Sequence, residues 1–501
     1  MDVGSVRVFR WSVASTVAAQ FVNIVYGLIL PRLVILVYGS EVNGVMASGL
    51  QLVGYLAILE AGLTAASINQ LYKPISGGDV DEVGNLLGTV RLSYVRIAVL
   101  VASGAVLLAG LYSLVVRSSL SPVRVFLFVV ALAVGPVIDF SLSSKFYVYF
   151  VASNQVFKFQ RAQIVAMVGK VAVVLVVSRL RLDPLILFTL LSLISLVKAA
   201  ILRFDFWREP FNVPRRYVRR KIPQRGAVLS HQLLGLVTYN LPVILISVGI
   251  GVMAGSVFSV NSMIFGTFYG FGSMVYGQVF VPRLGHSIVS GSRKTDYFYR
   301  RSVLAGTWFS TCAMLSTFVL LPSFLNLYVG GSDINYYYRS TASLFAMAGF
   351  FNILKLPYQS LVTASGKFRE TVVFSGIEAG VFLAVVLATW WWRSIDLVAL
   401  ALVLSSAVKM FSLKIFSHFA IAREPLSQTA GQLLALASIG LCLWILDPSL
   451  LQFDSVGSWL VLGSIVFVTS SLVALTVTTA PGLLVRMVKK GLFEKKSGAG
   501  V

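Results

Sequence analysis

Long apolar stretches separated by short polar joints run along the whole 501-residue chain. Each of fourteen such stretches has about 18 to 29 residues, and a helix needs roughly 20 to cross a bilayer core. Their limits lie near 11–37, 44–72, 91–116, 125–150, 161–178, 183–203, 226–250, 254–280, 302–326, 340–364, 371–392, 395–418, 430–447 and 457–478. The pattern therefore predicts an all-α polytopic membrane protein with about 14 transmembrane helices. A mean hydropathy of +0.86 leaves no room for a separate water-soluble domain.

Basic residues are distributed unevenly among the joints. If both termini face the cytoplasm, about 28 of the 41 Lys and Arg lie in cytoplasmic segments, about 6 in outside loops and about 7 within spans. This asymmetry follows the positive-inside rule, so we expect both termini to be cytoplasmic. The rule also accounts for most of the net charge of +22, and we expect no nucleic-acid partner. The basic joint at 204–225 is expected to lie beside anionic membrane lipids.

The same joint divides the chain after six spans. Shifting the sequence by 211 residues aligns Leu30–Pro31 with Leu241–Pro242 and Gly44 with Gly255, each in the first hairpin of its half. Because six is even, both halves enter the membrane with one orientation, as in transporters built from parallel repeats. Chance similarity between two glycine-rich hairpins remains the alternative. The predicted domains are a six-helix bundle at 1–203, the joint at 204–225, a second six-helix bundle at 226–420, two additional helices at 421–480 and a basic cytoplasmic tail at 481–501.

Ten charged residues fall inside the predicted spans. The cations are Arg32, Arg96, Lys145, Lys170, Lys198, Lys355 and Lys409, and the acids are Glu60, Asp139 and Glu378. Each Lys, Arg or Asp costs about 2.5 to 3.5 kcal/mol at the centre of a lipid-exposed helix. Most should therefore face a wet cavity or one another. Because the cations outnumber the acids, we expect a cationic central cavity that accepts an anionic cargo.

The seven cations are not equally strong candidates for lining the cavity. We expect Lys170 and Lys355 to be the main cavity cations, unpaired and available to the cargo, with Lys145, Lys409 and Arg32 as further candidates. The alternative for Arg32, Arg96 and Lys198 is that they lie near span ends and extend their charged groups to the membrane–water interface.

The acids have their own alternatives. Asp139 is central in its span and should either meet a cation on another helix or carry a coupling ion. Glu378 is expected only to stabilise the start of its helix.

Motifs for other chemistry are missing from the sequence. It has no Walker loop, glycine-rich dinucleotide turn, HExxH or GxSxG. Cys312, Cys442 and the three histidines have no ligand-spaced companions, so we expect no metal site. We therefore predict that the chain is not an enzyme and needs no cofactor. The first apolar stretch is too long for a signal-peptide core, and we expect it to be retained.

Five loose motifs resemble the Wzx-like polysaccharide flippases of the multidrug/oligosaccharidyl-lipid/polysaccharide exporter superfamily. They are LPRLVILVYGSEVNG at 30–44, ILEAGLTAA at 58–66, VFVPRL at 279–284, FLNLYVGG at 324–331 and QSLVTASGKFRET at 359–371. The evidence lies in their order along roughly 70% of the chain. The resemblance implies a MATE-like fold in a bacterial inner membrane and the export of undecaprenyl-pyrophosphate-linked oligosaccharide units by alternating access. It also places Glu60 at the family's acidic position, as a second ion-coupling candidate beside Asp139.

Transport can be coupled to a Na⁺ or H⁺ gradient or driven only by consumption of the product outside, and the sequence leaves both open. A polysaccharide polymerase and a chain-length regulator are the partners expected for such a flippase. A multidrug/cation antiporter remains an alternative that would favour an acidic cavity, and a lipid II flippase is another. A membrane glycan polymerase usually needs a large outer loop with catalytic residues. The longest outer joint here, at 327–339, is short. The glycan, the driving ion and the oligomeric state are not specified by the sequence.

Overall fold

The structure, a computed structural model, describes residues 3–60, 63–209, 233–289, 295–422, 424–450 and 455–497, and every regular element in these ranges is helical. The α-helices are α1 (Val3–Tyr38), α2 (Ser40–Leu56), α3 (Leu63–Gly77), α4 (Val80–Val115), α5 (Pro122–Ile138), α6 (Ser144–Ala152), α7 (Val156–Arg179), α8 (Pro184–Trp207), α9 (233–239), α10 (Leu241–Gly249), α11 (Val252–Val275), α12 (Val281–Val289), α13 (Thr295–Val329), α14 (Arg339–Leu354), α15 (Leu356–Ser365), α16 (Phe368–Ala388), α17 (Ile395–Ala420), α18 (Leu426–Ile445) and α19 (Val456–Ser497). Short 3-10 turns follow α2, α16 and α18, and π-helical turns join α5 to α6 and α11 to α12.

Twelve helical segments within the described ranges are long and apolar enough to cross a membrane. They overlap twelve of the fourteen predicted spans, and the prediction of an all-helical multi-pass membrane protein is confirmed. The other two predicted spans, 226–250 and 340–364, are broken. The first begins outside the described residues and continues as α9 and α10, while the second is α14 followed by α15. Pro357 explains the second break, because it cannot donate a backbone hydrogen bond to Ile353.

The chain forms two compact units. Unit 1 contains residues 1–259 and 331–334, and unit 2 contains 260–330 and 335–501. In unit 1, α7 packs on α1, and α5 packs on α2, α4 and α8. In unit 2, α13 packs on α14 and α19, and α17 packs on α14 and α16. The division into six-helix bundles at 1–203 and 226–420 stays a prediction.

Residues from the middle of the chain complete unit 1. Helix α10 packs on α2, and the Asn43 amide donates a buried hydrogen bond of 2.7 Å to the Ser256 hydroxyl. Gly44 permits a very close approach here, since a Cβ at this position would lie 1.8 Å from the carbonyl oxygen of Val252. The small residues of the 44–48 segment therefore serve helix packing, as is common within membranes.

A second distant segment closes the start of α2. The Asp333 carboxylate accepts hydrogen bonds from the backbone N–H of Ser40 at 3.1 and 3.2 Å, and a further bond from the Ser40 hydroxyl. Gly39, just before the helix, has a φ of +90°, which favours glycine. Asp333 thus satisfies one of the N–H groups that a helix start leaves without an intrahelical partner.

Candidate functional site

A charged cluster lies within unit 1 where α5 gives way to α6. Asp139 begins the π-helical turn between them, and its carboxylate lies 2.7 Å from the ammonium group of Lys198 on α8. Lys170 on α7 lies within electrostatic range of both groups and 5.8 Å from the centre of the Tyr26 ring. We call Asp139, Lys170 and Lys198 the N-cluster. With all three ionised, its formal charge is +1.

The π-helical turn is what aims Asp139 at α8. Such a turn inserts one extra residue into a helix and changes the direction of the side chains on either side. Lys198 is buried, with only 8% of its surface exposed. Its burial is tolerable because the carboxylate compensates for the lost hydration. Asp139 therefore does meet a cation on another helix, and Lys198 is buried and paired instead of extending to the interface.

A second charged cluster lies within unit 2. The Glu378 carboxylate accepts hydrogen bonds from the ammonium groups of Lys355 at 3.1 Å and Lys409 at 2.5 Å, one on each oxygen. The exposed fractions of these side chains are 2% for Glu378, 1% for Lys355 and 12% for Lys409. We call these three residues the C-cluster, and its formal charge is also +1.

The C-cluster changes two expectations. Glu378 lies in the middle of α16 and holds two lysines, so the explanation as a helix-start residue was wrong. Lys355 lies at the break between α14 and α15 and is paired and buried, so the expectation of an unpaired cation there was also wrong. A lysine this deep in a membrane protein needs a counter-charge, and Glu378 provides it.

The two clusters occupy corresponding places in the two halves of the sequence. The residue numbers of Lys198 and Lys409 differ by 211, the same offset that aligns the first hairpins. Each cluster takes one residue from the fourth, fifth and sixth predicted span of its half. The acid is on the fourth span in the N-cluster and on the fifth in the C-cluster. Both clusters therefore contain two lysines and one carboxylate. They differ in which of the three spans carries the carboxylate.

The other predicted cations lie apart from both clusters. Arg32 is exposed on α1 and makes no ion pair within the described part of the chain. Lys145 is half-buried on α6, with its ammonium group 4.6 Å from the centre of the Phe146 ring. Arg96 is exposed on α4. The five predicted cavity cations are therefore spread over several places.

Glu60 has a different environment from the other two intramembrane acids. It lies in the 3-10 turn after α2 and accepts hydrogen bonds from the hydroxyl groups of Thr64 on α3 and, at 3.1 Å, Tyr94 on α4. No Lys or Arg among the described residues forms an ion pair with it. A hydroxyl group can either donate or accept a hydrogen bond.

Sequence reasoning undervalued Lys198 and Glu378. The signal that could have found Lys198 was the repeat offset itself, because it pairs this lysine with Lys409. Glu378 could have been found by asking which acid neutralises a lysine in the middle of a span. Within the described residues, no group of three His, Cys, Asp or Glu side chains is placed to hold a metal ion.

These helices and buried charges define a multi-pass membrane protein with an all-helical fold in two units. Among solved structures, the chain is similar to a lipid II flippase, MurJ, in an inward closed conformation, with a TM-score of 0.67 and 12% identity over 94% of this chain and 100% of that one. It is also similar to an inward-facing multidrug resistance MATE transporter of the MOP superfamily, with a TM-score of 0.64 and 10% identity over 85% of this chain and 95% of that one.

A eukaryotic MATE transporter, AtDTX14, gives a TM-score of 0.59 at 13% identity, covering 87% of this chain and 99% of the other. The predicted MATE-like fold is therefore confirmed. No protein-family model matches the chain, and no curated protein is significantly similar to it.

Proposed function

We propose that this chain is a flippase that moves undecaprenyl-pyrophosphate-linked oligosaccharide units from the cytoplasmic to the outer leaflet of a bacterial inner membrane. The observation that carries the proposal is the composition of the two clusters. Each holds two lysines for one carboxylate within the predicted transmembrane spans. A surplus of one cation per cluster favours a cargo with negative charge, and a pyrophosphate is the anion that a lipid carrier brings into the membrane.

The exposed fractions divide the lysines into two roles. Lys355 is almost fully buried and serves to hold Glu378, whereas Lys198 and Lys409 keep 10% and 12% of their side chains exposed. In the empty carrier the carboxylates neutralise these two lysines. Within each cluster, the more exposed lysine, Lys198 or Lys409, exchanges its carboxylate for a phosphate oxygen when it meets the pyrophosphate, and it returns to the carboxylate on release. Lysine suits such an exchange because it acts as a point charge without fixed bidentate geometry.

The energetics favour outward movement. Carrying negative charge out of a cell whose interior is negative gains about 2.3 kcal/mol per charge per 100 mV. A coupling ion is then needed mainly to reset the empty carrier in a cycle of alternating access. Glu60 is our first candidate for a proton site, since its described partners are hydroxyl groups. Asp139 is the second candidate, because neutralising it would release Lys198.

Two other functions are worth testing. A lipid II flippase is supported by the structural similarity to a protein of that description. A multidrug/cation antiporter is supported by the similarity to MATE transporters, but a cationic cargo would be repelled by the surplus charge of both clusters. A polysaccharide polymerase and a chain-length regulator are proposed as partners of the first function only.

The test is flipping in proteoliposomes, measured as protection of a fluorescent polyprenyl-pyrophosphate-linked glycan from a membrane-impermeant reagent. We expect Lys409→Met and Lys198→Met each to slow flipping by about 10- to 100-fold, because each removes a charge-assisted hydrogen bond to phosphate. Lys414→Met is the matched control. Lys414 also lies on α17 and pairs with Glu424 at 3.4 Å, outside both clusters.

Burial raises the pKa of the Glu424 carboxyl, so this group can take up a proton when Lys414 is removed. The control variant therefore loses a buried ion pair, and the Glu424 carboxyl can become neutral. Faster transport of a cationic dye than of the pyrophosphate lipid by the wild-type protein would contradict the proposal and favour the antiporter. Equal flipping rates for lipid II and the oligosaccharide lipid would favour a flippase with a broader range of substrates.

A further inference from the structure

A pocket of about 880 Å³ in unit 1 is lined by residues of α4, α6, α8 and the π-helical turn before α6. Its volume falls in the range of sites for small organic molecules. The charged residues that line it are Arg91, Lys145, Arg203 and Glu209. Neither the N-cluster nor the C-cluster contributes a side chain to this pocket, so it is separate from the candidate site described above.

The carboxylates in and near the pocket already have hydrogen-bond and ion-pair partners. Glu209 binds the ammonium group of Lys158 at 2.7 Å and the hydroxyl group of Tyr149 at 2.8 Å. Asp205, the next nearest acid on α8, accepts two hydrogen bonds from Arg161 on α7, at 2.6 and 2.7 Å. Lys158 and Arg161 on α7 thus form ion pairs with both acids near the end of α8, including Glu209, which lines the pocket.

Three cations line the pocket. Within the described residues, Arg91, Lys145 and Arg203 form no ion pair, and Lys145 lies within electrostatic range of both arginines. Arg203 stacks its guanidinium group on the Trp207 ring, 5.1 Å from the ring centre. Stacking uses the flat face of the guanidinium group and leaves its N–H edge for an anion. Because the Glu209 carboxylate in the lining is held by Lys158 and Tyr149, an added anion would stabilise the three cations.

The walls of the pocket indicate what the rest of the ligand is. Val95, Leu142 and Leu196 line it and expose 36%, 44% and 44% of their surfaces. Trp207 lies at the last position of α8 and exposes 70% of its surface. Trp and Arg at a helix end are typical of the membrane–water interface, whereas exposed aliphatic side chains are typical of the hydrocarbon region. The pocket therefore spans the boundary between headgroups and acyl chains.

We propose that this pocket is a binding site for the phosphate headgroup of a membrane lipid, held by Arg91, Lys145 and Arg203 with its hydrocarbon chain lying along α4 and α8. A soluble phosphate would satisfy the three cations but would gain nothing from the aliphatic wall. A zwitterionic lipid would bring its own positive charge and bind more weakly. The site lies within unit 1 and does not depend on the cargo proposed above.

The test is native mass spectrometry of the purified full-length protein, titrated with phosphatidylglycerol, polyprenyl phosphate or phosphatidylcholine. We expect the two anionic lipids to be retained in preference to phosphatidylcholine. Arg91→Gln and Arg203→Gln should each weaken retention by about tenfold or more, since each removes a charge-assisted hydrogen bond. Arg208→Gln is the matched control, because Arg208 is one residue beyond the end of α8, stacks on Phe204 and does not line the pocket.

The comparison between phosphatidylglycerol and polyprenyl phosphate identifies the source of the phosphate, and preferential binding of either supports the proposal. We expect that inorganic pyrophosphate, a soluble anion, displaces neither lipid. The proposal is overturned if pyrophosphate binds as tightly as the lipids, or if Arg208→Gln weakens retention as much as Arg203→Gln. Thermal unfolding of each variant, measured alongside, separates loss of the site from loss of the fold.

Discussion

Glu378→Gln is the substitution that examines the C-cluster most directly. It removes one negative charge that neutralises two lysines, while it keeps the size and shape of the side chain. Lys355 has only 1% of its side chain exposed. Lys409 is only slightly more exposed, at 12%. The variant therefore leaves two cations close together in a buried place, and we expect a large loss of stability.

The distances give the size of the effect. With an effective dielectric constant of about 20, Coulomb's law assigns about 5 kcal/mol to a pair at 3.1 Å and about 7 kcal/mol to one at 2.5 Å, before desolvation is counted. Desolvation offsets much of this, and breaking a buried ion pair by removing one partner costs about 3–5 kcal/mol. Lys355→Met should cost less, because Glu378 keeps its bond to Lys409. The fully neutral triple variant with Met at both lysine positions and Gln at 378 should recover most of the loss.

The assay is thermal unfolding in lipid nanodiscs, followed by tryptophan fluorescence. We expect the Tm of Glu378→Gln to fall by roughly 5 °C or more. The order of stability should be wild type, then Lys355→Met, then Glu378→Gln, with the triple variant above Glu378→Gln. A Glu378→Gln protein that unfolds within about 1 °C of wild type, or a triple variant less stable than Glu378→Gln, would refute the reasoning.

Three further outcomes are expected. Reporter fusions at 222, which lies outside the described residues, and at 335 should read cytoplasmic and external respectively, and the reverse would overturn the positive-inside orientation. Glu60→Gln should abolish the dependence of flipping on a pH gradient and leave headgroup binding intact, whereas an unchanged pH response would make Glu60 a packing residue. Gly44→Ala should destabilise the protein by about 1–3 kcal/mol through its clash with Val252, while Gly27→Ala, with nothing within 4 Å of its Cβ position, should not.

Hydrophobic length predicted most of the fold, because each long apolar stretch must become a helix in a membrane. It failed where a helix is interrupted by local chemistry. The π-helical turn at Asp139 left no mark on the apolar pattern, since it needs no break in hydrophobicity. The break at Lys355 was readable in principle from Pro357, but the stretch around it is apolar enough to pass for a single span.

The buried charges show a similar limit. Counting ionisable residues in spans found every member of both clusters, because a charge in an apolar stretch is rare and conspicuous. The count could not assign partners, since partners lie on helices that are far apart in sequence. Lys355 was therefore expected to be free and Glu378 to be incidental, whereas the two form one pair. Whether the lysines contact a cargo stays a prediction.

The bond between Ser40 and Asp333 has a consequence for biogenesis, because its partners are 293 residues apart in the chain. At about 5–20 residues per second, a ribosome needs roughly 15 to 60 seconds to progress from one to the other. During that interval the start of α2 has been inserted without its capping carboxylate, and the Ser256 hydroxyl that will bind Asn43 is also still to be synthesised for most of the time. The first helices to leave the translocon must therefore wait, in lipid or beside an insertion factor, for a segment made late in translation to complete their own unit.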